Sequence, residues 1–162
     1  MSASFAKIAQ VPADGRQSQT ALAVARGTAR LLISLGFGCV SELALASGRR
    51  ADLVALGRDG EIWIVEIKSS VADFRADQKW MDYRMHCDRL FFATTTEVPC
   101  EIFPPDTGLI VADAFDAEIK CEAPEHRLHA STRRSMMLGI ARAASLRLQS
   151  LIDPTGPYEA EL

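Results

Sequence analysis

The chain has no Cys-x-x-Cys pair. Its four cysteines, Cys39, Cys87, Cys100 and Cys121, are scattered, which argues against a disulfide framework and for reduced thiols in a cytoplasm. Cys121, His126 and His129 lack a fourth ligand and fit no common zinc spacing. No basic start precedes an apolar h-region, so no signal peptide is expected, and no run approaches the ~18 apolar residues of a membrane span. An excess of charge is missing too: 18 basic against 21 acidic residues leave a formal net charge of −3. Without a global basic field, nonspecific coating of nucleic acid is disfavoured, and any such contact must use a local patch. Internal repeats and low-complexity tracts are also absent.

What is present suits one soluble domain. A chain of 162 residues holds a single core comfortably and two only with difficulty. Residues 1–16 show no periodicity and read as a loose arm. Residues 17–153 read as one domain, and 154–162, opening with Pro154-Thr155-Gly156-Pro157, as a tail.

The stretch from Gly48 to Lys68 organises the rest. Arg50–Leu56 and Glu61–Lys68 read as strands joined at Arg58-Asp59-Gly60, with Asp-Gly a strong hairpin signal between apolar runs. Alternation puts Ile62, Ile64, Glu66 and Lys68 on one face of the second strand. A hairpin of this length brings Asp52 beside Glu66. Two carboxylates and a lysine at one strand end can hold a divalent metal against a phosphate. The competing interpretation is a structural ion pair in which Lys68 neutralises Glu66 or Asp52, because charges in so apolar a strand need partners.

Around this hairpin the other elements follow from periodicity. Leu22, Ala25, Ala29, Leu32 and Leu35 fall at helical spacing from Ser18 to a stop at Gly36, with Arg26 and Arg30 on a common stripe. Cys39–Leu45 reads as a strand carrying a lone acid, Glu42, either a third site carboxylate or a partner for Lys68 or an arginine. Asp73 reads as the N-cap of a helix from Phe74 to Met85. Phe74, Trp80 and Met81 are expected to pack inward, leaving Arg75, Gln78, Lys79, Asp82 and Arg84 for solvent, the site or DNA. Arg89–Thr95 and Gly108–Ala112 read as buried strands, and the region of Pro99, Pro104 and Pro105 as a loop without regular structure. Ala117–Cys121 reads as an edge strand. A last helix, Ser131 to Leu151, is expected to turn Met137, Ile140, Ala141, Ala144, Leu148 and Leu151 inward. A strand–helix–strand unit around the middle helix implies one parallel pair beside antiparallel hairpins, hence a mixed α/β (α+β) sheet with helices on both faces.

This order, with an Asp strand, a Glu-x-Lys strand and a helix glutamine, resembles the PD-(D/E)XK nuclease superfamily. More narrowly, ELALASGRRADLVAL, GEIWIVEIKSSVADFRADQKW, DYR and CDRLFFA between Val40 and Phe92 resemble the MmcB-like bacterial DNA-repair family. DTGLIVAD at 106–113 and APEHRL at 123–128 extend the likeness, so that it covers most of the chain past residue 20. The resemblance implies a restriction-endonuclease-like fold, with Asp52 in the first acidic position although Ala51 stands where the motif has proline. It implies Glu66 and Lys68 as the Glu-x-Lys pair, and Mg²⁺ or Mn²⁺ held by Asp52, Glu66 and the Ile67 carbonyl. Lys68 would help activate water, with Glu42 and Gln78 in support. Tyr83 falls one step late for the tyrosine that often follows the glutamine and is given no role. Candidate DNA contacts are Arg49, Arg50, Arg75, Lys79 and Arg84. The expected function is a metal-dependent endonuclease in DNA repair, cytoplasmic and nucleoid-associated, leaving 5′-phosphate and 3′-hydroxyl ends on damaged or structured DNA. The alternative is a non-catalytic DNA-binding or adaptor module on the same fold. Pairing into a homodimer and the identity of repair-protein partners stay open.

Overall fold

Ser18 opens the first element by accepting the Ala21 N–H on its hydroxyl at 3.1 Å, an N-cap for helix α1, Gln19–Ser34. Thereafter the chain forms strands β1 (Gly38–Ala44), β2 (Arg50–Leu56) and β3 (Ile62–Ile67), then helix α2 (Val71–Ala76) and a 3-10 segment, Trp80–His86. Strand β4 (Arg89–Thr94) follows, then β5 (Gly108–Ala112), β6 (Ala117–Cys121) and helix α3 (Ala130–Ile152). The computed structural model describes residues 18–77 and 79–158. The expected arm over 1–16 and Gln78 lie outside the described residues.

The six strands form one mixed sheet in sequential order, β1 to β6. Two pairs are parallel, β3 with β4 and β4 with β5, where one was expected. The proline-rich segment after β4 acts as a second crossover, and it contains a short 3-10 turn at Cys100–Ile102. Strand β6, expected at an edge, pairs only with β5 and is largely exposed.

Alternation along the strands divides the core in two. One face buries Leu53, Ala55, Trp63, Val65, Phe91 and Ile110 against Val24 and Leu32 of α1. The other buries Val54, Ile62, Ile64 and Leu90 with Tyr83 of the 3-10 segment and Met136 and Ile140 of α3. Helices therefore cover both faces, an α+β arrangement consistent with the restriction-endonuclease-like architecture. Helix α1 lies so close to the β5–β6 turn that a Cβ on Gly27 would stand 2.1 Å from the Asp113 carbonyl oxygen.

The segment after β3 differs from the expected single helix. Ser70, rather than Asp73, is the N-cap of α2, accepting the Asp73 N–H at 3.1 Å, and the helix ends at Ala76. Asp73 instead accepts the Ser69 N–H at 2.9 Å. Phe74 and Trp80 pack on Phe92 as expected, but Met81 is exposed.

Helix α3 presents a different face from the one its sequence suggests. Met136 and Ile140 are buried, with Ala143 packed beside them, whereas Met137, Ala141, Ala144, Leu148 and Leu151 face outward. The residue that fixes this rotation is Asp88, just before β4. Its carboxylate accepts both guanidinium nitrogens of Arg133 at 2.7 Å, the Ile62 N–H at 2.8 Å and the Leu128 N–H at 2.9 Å. Near the other end, Arg147 donates to the carbonyls of Ser41 and Glu42, the latter at 3.1 Å. Two arginine anchors on one helix face override the hydrophobic pattern of the neighbouring face.

Candidate functional site

All six residues of β3 are buried, and each large aliphatic side chain in such a setting contributes roughly 1.5–3 kcal/mol to folding. Glu66 stands in this strand at 3% exposure. The ladder between β2 and β3 ends at the Leu53–Val65 pair. One step further out, the side chains of Asp52 and Glu66 take over the backbone pairing. The Asp52 N–H donates to Glu66 Oε1 at 3.2 Å, and the Ile67 N–H donates to Asp52 Oδ2 at 2.8 Å. Each carboxyl is thus fixed by the other strand, and the two acids are held side by side at the rim.

Lys68 continues the strand. Its N–H donates to the Ala93 carbonyl at 2.8 Å, and its own carbonyl accepts the Thr94 hydroxyl at 2.6 Å, so β4 clamps the backbone. The side chain is buried, but its ammonium bonds to Asp77 Oδ2 at 2.7 Å. Asp77 is the C-cap of α2. The ion pair of Lys68 with Glu66 or Asp52, the structural alternative raised by the sequence, is replaced by one with Asp77.

The electrostatics follow from that choice. Burial pushes the Asp52 carboxyl up to about 6, against the Ile67 N–H and Lys68, which pull it down. Burial, then the neighbouring Asp52 charge, raises Glu66 well above the usual carboxylate range. Burial alone would lower the Lys68 ammonium, but the hydrogen bond and charge of Asp77 outweigh it and raise it. Burial would likewise raise Asp77, and Lys68 holds it below its ordinary value instead. Among the described residues, neither Asp52 nor Glu66 has an ion-pair partner of its own.

The remaining sequence candidates fall around this pair. Glu42 sits in β1 with φ +52°, a left-handed conformation disfavoured for a side chain of this kind. Its carboxylate bonds to Arg50 Nε at 2.6 Å, so it reaches the site as a charge raising Asp52 and as an arginine partner. Arg49 pairs with Asp82 at 2.9 Å. Arg84 turns away, donating to Asp106 Oδ2 at 3.2 Å with its guanidinium carbon 5.9 Å from the Trp80 ring centre. Arg75 and Lys79 are exposed beside the site, and the Lys79 N–H donates to Asp77 Oδ1 at 3.0 Å.

Two residues given no role from sequence belong here. Asp77 carries no periodic signal, and its value comes from folding back nine positions onto Lys68. Tyr83 is buried on the 3-10 segment and donates its hydroxyl to the Arg50 carbonyl at 3.1 Å. Burial and then the charge of Glu66 raise its phenol. Tyr83 lies on a 3-10 segment, which does not keep the helical spacing expected over Phe74 to Met85.

Among the described residues no group of three or more His, Cys, Asp or Glu side chains is placed to hold a metal. Two carboxylates and a backbone carbonyl nonetheless suit a small hard cation, because Mg²⁺ keeps several waters and takes one or two protein carboxylates. A buried and a half-buried acid that repel each other and have no ion-pair partner among the described residues are the local observation that fits such an ion.

The profile of the MmcB-like family, described as DNA repair protein MmcB-like, matches residues 9–155. This chain belongs to the MmcB-like family. The membership supports a role in DNA repair. Among solved structures, SPO1766, a protein of unknown function from Silicibacter pomeroyi, is 46% identical over 86% of this chain and 96% of its own, with a TM-score of 0.83. No curated protein matches. As for membranes, no helix among the described residues is long and apolar enough to cross one.

Proposed function

We propose that this MmcB-like protein is a Mg²⁺- or Mn²⁺-dependent endonuclease that hydrolyses DNA phosphodiester bonds during repair. The observation that carries the reading is the cross-strand pair of half-buried Asp52 and buried Glu66, without a cation of its own, while the adjacent lysine is held by Asp77. Taking two neighbouring carboxylates largely out of water is unfavourable unless something compensates them. A bound divalent ion would lower the pKa of a coordinated water and offset charge building on the phosphate. Asp52, Glu66 and the Ile67 carbonyl hold that ion. Lys68 stays protonated through Asp77 and presents its remaining N–H bonds to water or a phosphate oxygen. Exposed Arg75 and Lys79 meet the DNA backbone.

The test is cleavage of damaged, branched and single-stranded DNA with Mg²⁺ or Mn²⁺. Asp52→Ala and Lys68→Ala are each expected to lower the rate by about 10²- to 10³-fold, on the scale of losing a principal electrostatic group. Cutting that survives both substitutions would reject the assignment.

A second reading is a non-catalytic DNA-binding module on the same fold, favoured by the small donor set and by the commitment of Lys68 to Asp77. It predicts salt-sensitive DNA binding with no calorimetric signal in millimolar Mn²⁺.

A further inference from the structure

The sheet carries a second surface at the rim opposite the acid pair. Asp88, just before β4, accepts the N–H of Ile62 at the start of β3, whereas Glu66 lies near the far end of that strand. The same carboxylate holds the Leu128 N–H and Arg133. Beside these two residues opens a groove of about 650 Å³. Leu128, Met137, Leu138 and Ala141 line it, and Arg127 and Arg134 edge it. Leu138 is 62% and Met137 40% exposed. An apolar surface rimmed by charge is the usual mark of an interaction site.

Its length suits a helix. The groove follows α3 over residues 130–141, about 18 Å at the helical rise, or three turns. A second helix with apolar side chains at i, i+4 and i+7 spans that distance. Met137 can repack around such side chains, and Ala141 lets a backbone come close. Because Asp88 already fixes Leu128 and Arg133, part of the lining is formed in advance, which lowers the cost of binding.

Charge selects the occupant. From His126 to Ile152 the chain holds five arginines and none of its 21 acidic residues. Arg133 and Arg147 are committed to the sheet, whereas Arg127 and Arg134 stay exposed at the groove. The first turn of α3 has no acid either, so the positive end of its dipole adds to theirs. A second copy of this face would set arginine against arginine. Nucleic acid would match the charge but leave the apolar lining uncovered. A helix with one apolar stripe and acidic flanks answers both.

We propose that this groove docks an acidic amphipathic helix of another protein. The apolar stripe of that helix lies on Leu128, Met137 and Leu138, and its carboxylates meet Arg127 and Arg134. Docking there leaves the Asp52–Glu66 rim open, so the partner can be held whether or not the acid pair cleaves DNA.

Fluorescence anisotropy of the full chain with two labelled synthetic helices tests this. Both carry leucine at i, i+4 and i+7, one with glutamate on the flanks and the other with lysine. The acidic helix should bind with a dissociation constant on the order of 10–100 μM, at least about tenfold tighter than the basic one. Leu138→Ser should weaken it at least about fivefold. Arg134→Glu should weaken the acidic helix at least about fivefold and tighten the basic one, a reversal that unfolding could not produce. Excess duplex DNA should leave the acidic helix in place. No binding up to about 1 mM, equal binding of the two helices, indifference to both substitutions, or displacement by DNA would each overturn the proposal.

Discussion

Two places in this sheet bury carboxylates, and the protein treats them in opposite ways. At Asp88 every oxygen is met: two backbone N–H groups and both nitrogens of Arg133 hold a side chain that is 2% exposed. Burial would raise this carboxyl, but those donors outweigh it and hold it below its ordinary value. At the β2–β3 rim, buried Glu66 stands beside half-buried Asp52, with Asp52 pushed up to about 6 and Glu66 raised well above the usual carboxylate range. The first acid is a closed structural joint between α3 and the sheet. The second pair is left short of positive charge, the condition under which a cation from solution binds best.

The largest effect should come from opening the closed joint. Arg133→Ala removes a bidentate partner and strands a buried carboxylate, which should cost about 3–5 kcal/mol in chemical denaturation. A loss under about 1 kcal/mol would mean that Asp88 is not the joint described here. The pH dependence has a definite sign. Because the folded value of Asp88 is depressed, its stabilisation is complete above the unfolded range near ~4 and disappears as pH falls through the lower folded value.

Asp52 should behave the other way. Its folded value is raised, so its penalty is absent below about pH 4, grows as pH rises towards about 6, and is complete above that. Asp52→Asn keeps an acceptor for the Ile67 N–H and removes the charge. In metal-free buffer at pH 7 the variant should be more stable than the native protein by roughly 2–3 kcal/mol, with the gain vanishing near pH 4. Saturating Mn²⁺ should stabilise only the native chain, closing the gap at a hundred times Kd (about 2.7 kcal/mol) and reversing the ranking at a thousand times Kd (about 4.1 kcal/mol). Melting curves at pH 4, 6 and 8, with and without Mn²⁺, read both signs at once. A destabilised Asp52→Asn at pH 7 without metal would show that the pair is already compensated.

Much of this contrast was legible in the sequence, and the illegible parts share a cause. The hairpin could be read because the Asp-Gly turn and the apolar run fix register locally, and register alone sets Asp52 opposite Glu66. The partner of Lys68 could not, because Asp77 is reached only when the chain leaves α2 early, and Ser70 and Asp73 are equally good cap types in sequence. Asp88 attracted no attention because its partner, Arg133, lies 45 positions away. The inward face of α3 was misread for the same reason. Two apolar stripes compete on that helix, and the choice between them is made by Arg133 and Arg147 gripping the sheet rather than by hydrophobicity. Periodicity reports local pattern, whereas buried charge is paired through tertiary contacts.

Asp77 stands between the two modes, and its removal should separate stability from binding most cleanly. Asp77→Asn keeps one oxygen, which can serve the Lys68 ammonium on Oδ2 or the Lys79 N–H on Oδ1 but not both, and deletes one negative charge. The Lys68–Asp77 attraction is lost, and so is the repulsion by which Asp77 raises Glu66. These changes oppose each other, so folding stability should move by no more than about 1 kcal/mol. Metal affinity should move further. With Asp77 neutral, the charge of Lys68 is no longer cancelled and acts on the acid pair as a built-in counter-ion, lowering its demand for an external one. Titration calorimetry should find Mn²⁺ binding about five- to tenfold weaker than in the native chain, about 1–1.4 kcal/mol. If Mn²⁺ binds both chains equally, the acid pair does not feel the lysine, and the division of labour between Asp77 and the two acids fails.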